Sequence, residues 1–492
     1  MLLVQYFREC FVIYYKMRRK FLLYIFVACL TLGFASCSDE EYSVSKSDLL
    51  SLAVDTVRMD TVFSNVPSST KTFWVYNNTG KNIRLSSVRL NRGNQSGFRV
   101  NVDGVYLGSE TGFQTSQVEV ASHDSIRVYV ELTPVNTGAN EPQKIEDDVV
   151  FTLESGNVQK VNLNAIVWDA TIMNSPKIKE DTSWSGDKPI VVYGSLMVDS
   201  LATLTINAGT TVYFRDEASL DVYGRLLCKG EPGNEVVLRG YRLDHMFDYL
   251  PYDRVSGQWG GVHLHESSYN NEFDYTDLHS ANTGIEIDSC DTVKVTLIMN
   301  ASTVHNCQGY GINANNCNVK LNNCQITNTL YDCFFINGGT ASLNNCTLAQ
   351  FYPYDSQRGM ALNCTDGCGD LNLLCTNTLV TGYADDVLLI TKSDSTRTTG
   401  FKFEDCILRT PKVTTEDSVR FVNVQFENPE DTATAGKKHF VNIDTDNLIY
   451  DFRLDSISPA VDKGNPLTAT PTDRYGLRRD DKPDIGAFER TN

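Results

Sequence analysis

The feature that most constrains this 492-residue chain is a hexad that returns along its second half, reading apolar, any, any, small or Cys, any, apolar. It recurs at Phe273–Leu278, Met299–Val304, Leu321–Ile326, Leu343–Leu348, Leu374–Leu379, Phe403–Leu408 and Phe421–Phe426, with start-to-start steps of 26, 22, 22, 31, 29 and 18 residues. A repeat near 22 residues, with short apolar strands and no helical periodicity, predicts coils stacked about 4.8 Å apart. Each coil supplies the backbone hydrogen bonds that its neighbour's strand edges lack. Most coils carry a second apolar strand, as in Gly284–Ile287, Gly309–Ile312, Phe334–Ile336 and Val387–Ile390. Steps longer than 22 become loops at the corners, where function is expected.

Asn stands before the small position at Asn323, Asn345 and Asn423. Asn tolerates left-handed backbone, so these positions predict tight corners whose amides can bond to the Asn of the next rung. Eleven of the fourteen cysteines lie between Cys228 and Cys406. Cys324, Cys346 and Cys406 share one inward-facing position of the coil, and stacked Cβ atoms about 4.8 Å apart exceed the 3.5–4.5 Å of a disulfide. A buried thiol stack is expected, with Cys364 and Cys368 the best placed pair for a local disulfide. No pair of CxxC units suggests a cysteine metal site.

Residues 49–170 follow a different pattern. Short alternating segments at Thr72–Tyr76, Ile83–Leu90, Ser125–Leu132, Val149–Leu153 and Lys160–Val167, punctuated by turns such as Asn77-Asn78-Thr79-Gly80, predict a β-sandwich of about seven strands. The Val75–Gly80 turn and the run from Asp124 to Pro134 resemble immunoglobulin-like modules of the Hydin and major-sperm-protein type. No cluster of His, Cys or paired acids lies here, so a spacer role is expected.

At the N-terminus Arg18, Arg19 and Lys20 precede an apolar run from Phe21 to Phe34 and then Ala35-Ser36-Cys37. That order predicts a signal peptide over 1–36, with Met17 as the true start, because the run is short of the roughly 20 residues that span a bilayer. Cys37 resembles the lipidated cysteine of a bacterial lipobox, although Phe34 replaces the usual Leu. Residues 37–48 form an acidic linker whose Ser38-Asp39-Glu40-Glu41 run resembles the surface-export signal of Bacteroides-group lipoproteins. The resemblance implies an outer-membrane lipoprotein, with the lipid as its membrane attachment. Removal of 1–36 takes the net charge from −18 to −22, a field that repels phosphate backbones and excludes nucleic acid as the expected partner.

Leu204–Val212, Leu220–Gly224 and Gly257–Val262, with Ser458–Gly464 and Pro483–Glu489 at the far end, resemble right-handed parallel β-helix proteins of the pectin-lyase-like superfamily. The likeness covers roughly residues 180–490. It implies an all-β chain in which an immunoglobulin-like sandwich is followed by a right-handed parallel β-helix over 180–430 and a closing segment over 431–492. That superfamily holds lyases, hydrolases, epimerases, adhesins and proteins without assigned activity, so the likeness specifies architecture and leaves chemistry open.

Several constellations are candidates for chemistry. Asp385 and Asp386 are the nearest match to catalytic acids, but adjacent strand residues point to opposite faces, so a solvated corner is the simpler reading. His263 and His265 share one strand face and could form an acid–base or metal site with Asp277 or His279 of the next coil. Two corner loops carry aromatic rings with a nearby carboxylate: Phe247, Tyr249, Tyr252 and Asp253, then Phe351, Tyr352, Tyr354 and Asp355. Such loops suit stacking on sugar faces, or alternatively cover the end of a coil. Asp462, Asp473, Asp484 and Glu489 could hold a structural calcium, with turn capping as the plainer alternative. No catalytic residue and no cofactor is assigned. The leading expectation is a non-catalytic surface lipoprotein that binds a glycan or other extracellular ligand; the alternative is a polysaccharide lyase or glycoside hydrolase.

Overall fold

The computed structural model describes residue 17 and residues 41–428, 430 and 436–490. The expected signal segment, Cys37 and all but the last residue of the acidic run lie outside them. Among the described residues no helix is long and apolar enough to cross a membrane. The chain divides into two compact units: 1–58 with 69–133 and 146–164, and 59–68 with 134–145 and 165–492.

The first unit is built on two antiparallel sheets. Lys71–Tyr76 pairs with Ser125–Leu132, and Val149–Leu153 pairs with the Leu85–Leu90 stretch. Alternation sends Phe73 and Val75 from one sheet, and Val149 and Phe151 from the other, into the buried interior. There the Phe73 and Phe151 rings meet edge to face at 6.5 Å. The Asn77 turn is fixed by a buried amide that donates to the carbonyls of Lys81, Val120 and Ala121.

The second unit is a parallel β-helix. An 11-stranded and a 17-stranded sheet run through it, and their registers link each coil to the next in parallel, as Phe273↔Met299, Met299↔Leu321 and Leu321↔Leu343 show. Connections between parallel strands of one sheet are right-handed on steric grounds, and the coil takes that hand. Inward residues form one continuous apolar core from Ile178 to Leu408.

Each hexad is a corner. Its first two residues end one strand, its third and fourth make the turn, and its last two lie in the next. The third position has positive φ throughout: Tyr275 at 42°, Ala301 at 46°, Asn323 at 52°, Asn345 at 51°, Asn377 at 46°, Asp405 at 54° and Asn423 at 53°. One member of the sequence alignment is corrected. Leu343 pairs with Cys375 and Leu348 with Val380, so the fifth hexad is Cys375–Val380 and not Leu374–Leu379. With Leu373, Leu374 and Cys375 all apolar, sequence alone could not choose the phase, and a one-residue slip exchanges the two faces; Leu374 is 39% exposed while Cys375 is buried.

The fourth position has a reason beyond size. Ser302 Oγ donates to the carbonyls of Phe273 and Asn300, Cys324 Sγ to those of Met299 and Asn322, and Cys346 Sγ to those of Leu321 and Asn344. Cys406 Sγ does the same with Cys375 and Glu404. Ser, Thr and Cys interchange here because each carries one small donor that ties a corner to the rung below. All eleven described cysteines are free thiols, so the expected Cys364–Cys368 bridge is absent: Cys364 is buried in the coil and Cys368 lies exposed on the loop beyond it.

The last segment runs along the side of the coil. Asn465 reaches Asp405 and Asn377, Thr470 reaches Asn345 and Asn323, and Arg474 reaches Thr303 and Glu235. Asn323, Asn345 and Asn377 therefore bond chiefly to this strap, whereas Asn423 donates to Asp405, the corner residue of the adjacent rung.

Candidate functional site

On the outer face of the 11-stranded sheet, Asp277, Thr303 and Gln325 are register partners on successive rungs, as are His279 and His305. Alternation points the intervening Leu278, Val304 and Ile326 into the core. Position is fixed from behind by Trp259, a fully buried ring stacked on Phe214 at 4.2 Å, whose indole N–H donates to the His279 carbonyl at 2.9 Å. Beside it Gly261, at φ +100°, has no room for a side chain, because a Cβ would sit 1.7 Å from the Thr283 carbonyl.

A chain of charge crosses this face. Arg239 pairs with Asp253 at 2.5 Å, His279 Nε2 lies 3.0 Å from Asp253, His279 Nδ1 lies 3.0 Å from Asp277, and His305 Nε2 lies 3.1 Å from the same Asp277 oxygen. Burial alone would lower the His279 pKa, but Asp277 and Asp253 overcome it and push it up to about 9. Burial would raise Asp277 and Asp253; the histidines, joined at Asp253 by Arg239, instead hold both carboxyls well below the usual range. His279 is thus an imidazolium held between two carboxylates.

A groove of ≈ 500 Å³ opens over these residues. Its floor includes Asp277, Thr303, His305 and Asn328, and its walls come from Asp253–Arg254, Leu448–Arg453 and Arg474–Tyr475. Tyr450, Phe452 and Tyr475 supply flat apolar rings, while Glu235, Asp451, Arg453 and Arg474 supply charge. Asn328 is 1% exposed and its Oδ1 has no hydrogen-bond partner among the described residues.

The predicted residues are distributed unevenly. Asp253 lines the groove. Phe247 and Tyr249 stack at 5.8 Å with more than half their surface exposed. The Tyr352 hydroxyl meets Ser256 at 2.9 Å, which joins the two aromatic loops. Tyr354 is exposed nearby, its hydroxyl pushed up to about 12 by burial and by Tyr352 and Tyr249. Tyr252 is covered by the Arg242 guanidinium. Phe351 and Tyr352 are corrected as ligand contacts: they are 0% and 4% exposed, and Phe351 packs against Tyr383, Phe440 and Phe452. Asp355 and Asp386 accept backbone N–H groups of their own turns, and Asp385 lies 3.6 Å from Arg409, so none converges on the groove.

His263 and His265 do share a face, but they meet Asp221 and Asp288 rather than Asp277 or His279. Two groups among the described residues bring metal-ligand atoms within 4.8 Å of one another: Asp221 with His263 and His265, and Asp277 with His279 and His305. Three of the four C-terminal acids are engaged otherwise. Asp473 accepts the backbone N–H groups of Tyr475, Leu477 and Glu489, and Asp484 those of Asp462 and Arg490. Glu489 takes Arg479 and two backbone N–H groups.

Sequence reasoning missed Glu235, His305, Asn328, Tyr450, Arg474 and Tyr475. One signal was present: His279 and His305 each follow the last residue of an aligned hexad, which places them side by side on the outer face.

The fold and groove define a parallel β-helix protein with a charged, aromatic-walled groove on one sheet. No family model matches the chain, and no curated protein does. Among solved structures it is similar to pectate lyase Pel9A, at 14% identity over 66% of this chain and 88% of that one, TM-score 0.32. It is also similar to the catalytic domain of a GH87 alpha-1,3-glucanase in complex with nigerose, at 11% identity over 74% and 88%, TM-score 0.21. A Porphyromonas gingivalis W83 protein of unknown function shares 12% identity over 27% of this chain, which spans half the length of that one, TM-score 0.19. The architecture rests on the strand register itself.

Proposed function

We propose that this chain is an exported outer-membrane lipoprotein, anchored through Cys37 and facing the cell surface, whose β-helix binds an extracellular glycan in the Asp277–His305 groove. In this reading the N-terminal sandwich is an immunoglobulin-like spacer and the helix is of the pectin-lyase-like kind. The observation that carries the binding site is the buried, unpartnered Asn328 Oδ1 on the floor of a groove that combines rings with paired charges. A buried acceptor without a donor costs about 1–3 kcal/mol, and a sugar hydroxyl would relieve that cost once a small side-chain rotation turns Oδ1 to the groove, while its C–H face packs on Tyr450 or Tyr475. Exposed Phe247, Tyr249 and Tyr354 extend the stacking surface.

A second reading, a polysaccharide lyase or glycoside hydrolase, draws on one observation. Asp277 orients the groove-lining His305 through Nε2, the arrangement of a positioned acid–base group.

The purified chain is screened on a polysaccharide array, and each hit is titrated against wild type and Asn328→Gly, which keeps left-handed backbone while deleting the acceptor. A roughly 5- to 10-fold loss of affinity, the worth of one hydrogen bond, is expected. Absence of any glycan hit, or affinity unchanged in both Asn328→Gly and Tyr450→Ala, overturns the assignment. New reducing or unsaturated ends after prolonged incubation, lost in His305→Ala, favour the enzymatic reading.

A further inference from the structure

We propose that Asp221, His263 and His265, oriented by Asp288, form a second site, on the 17-stranded sheet, that binds one divalent transition-metal ion, with zinc the best match to its donors. The residues come from three consecutive rungs. Asp221, His263 and Glu286 are direct register partners, and the N–H groups of His265 and Asp288 continue the same ladder to the Val222 and Leu264 carbonyls. The four side chains therefore converge on one outer face.

Their contacts close a ring. His263 Nε2 lies 2.9 Å from Asp288 Oδ1 and its Nδ1 lies 3.9 Å from Asp221 Oδ1. His265 Nε2 lies 3.1 Å from Asp221 Oδ1 and its Nδ1 lies 3.3 Å from Asp288 Oδ2. A neutral imidazole has one N–H and can donate to only one of the two carboxylates it faces; its other nitrogen then aims a lone pair at a carboxylate. Two such rings stand with centroids 3.8 Å apart, and both face the same two acids. A dication on the Asp221 side resolves the conflict by taking Asp221 Oδ1 and one nitrogen lone pair from each neutral ring, the three residues whose ligand atoms lie within 4.8 Å of one another. Each ring then donates the N–H of its other nitrogen to Asp288. Donor atoms around tetrahedral zinc are about 3.3 Å apart, and Asp221 Oδ1 lies 3.1 Å from His265 Nε2 and 3.9 Å from His263 Nδ1.

Supporting groups orient the ligands. Ser219 Oγ donates to Asp221 Oδ2 at 2.7 Å, which leaves Oδ1 for the site, and Tyr223 stacks flat on His265 at 3.9 Å. Glu286, the next acid along the column, is occupied by the Asn313 amide. Asp221 as ligand and Asp288 behind the rings balance the charge of the ion, and three protein ligands leave the fourth tetrahedral position to water.

The full chain, stripped with chelator, is titrated with zinc and with cobalt, and bound metal is measured by elemental mass spectrometry. One zinc per chain and a tetrahedral cobalt spectrum are expected. His265→Ala and His263→Gln, the latter retaining a hydrogen-bonding side chain, should each weaken binding by more than about 100-fold, and Ser219→Ala by about 10-fold. Circular dichroism establishes that each variant is folded. A metal-free wild type, zinc binding that survives both histidine variants, or zinc lost in His305→Ala instead overturns the site. So does calcium taken up in place of zinc.

Discussion

Arg479 and Glu489, ten residues apart in the strap, form a salt bridge at 2.9 Å with side chains only 2% and 4% exposed. Arg479 also donates to Asn323 Oδ1 at 3.0 Å and to the Gly486 carbonyl at 2.8 Å, so one guanidinium holds the strap in shape and fastens it to a corner of the coil. Removing one member of a buried pair leaves the other charged and unpaired. Arg479→Met is expected to cost about 3–5 kcal/mol in denaturant unfolding, and Arg479→Met with Glu489→Met less than the sum of the two single changes.

His279 sets a pH window. Its pKa is raised to about 9 in the folded chain, so its stabilisation is complete below the unfolded value near 6.5 and drains as pH rises through 9. Asp253 and Asp277, held low, contribute above about pH 4 and lose their share as pH falls further. The melting temperature of wild type should decline between pH 7 and 9 more steeply than that of His279→Gln; parallel curves would remove the imidazolium from the account.

Asn345 separates backbone strain from hydrogen bonding. Its φ is 51°, and its Oδ1 accepts the Thr470 N–H at 3.0 Å. Asn345→Gly loses only the side-chain bonds and should cost about 1–2 kcal/mol. Asn345→Ala adds the left-handed penalty of about 1 kcal/mol, so melting temperatures should rank wild type, then glycine, then alanine.

The thiols divide by accessibility. Cys368 is exposed, whereas nine of the other ten described cysteines are buried and Cys290 is intermediate. Burial pushes Cys307, Cys333 and Cys406 up to about 12 and leaves little thiolate at neutral pH. Among the described cysteines, brief alkylation of the native chain followed by peptide mapping should mark Cys368 first. Labelling of Cys324 or Cys346 on the same timescale would contradict a tightly packed coil.

The repeat made the coil legible because a rung needs only its neighbours. An apolar residue, a left-handed corner and a small donor recur in sequence as they recur in space, and Asn323, Asn345 and Asn423 were readable as corners for that reason. Legibility ended where phase was ambiguous, as at Leu374 and Cys375, and where a loop residue could face either way. Phe351 and Tyr354 share one loop and one aromatic composition, yet one is core and the other exposed.

By itself the sequence determined the strand period, the corner chemistry and the stacking of parallel coils, since all are written in local spacing. Only the tertiary structure decided which outward residues share a site. The strap folds back along the coil and sets Arg474 against Glu235, 239 positions earlier, and the insertion after Gly240 brings Asp253 to His279. Contacts of that separation carry no periodic mark, because they depend on where long segments return and not on how neighbouring residues alternate.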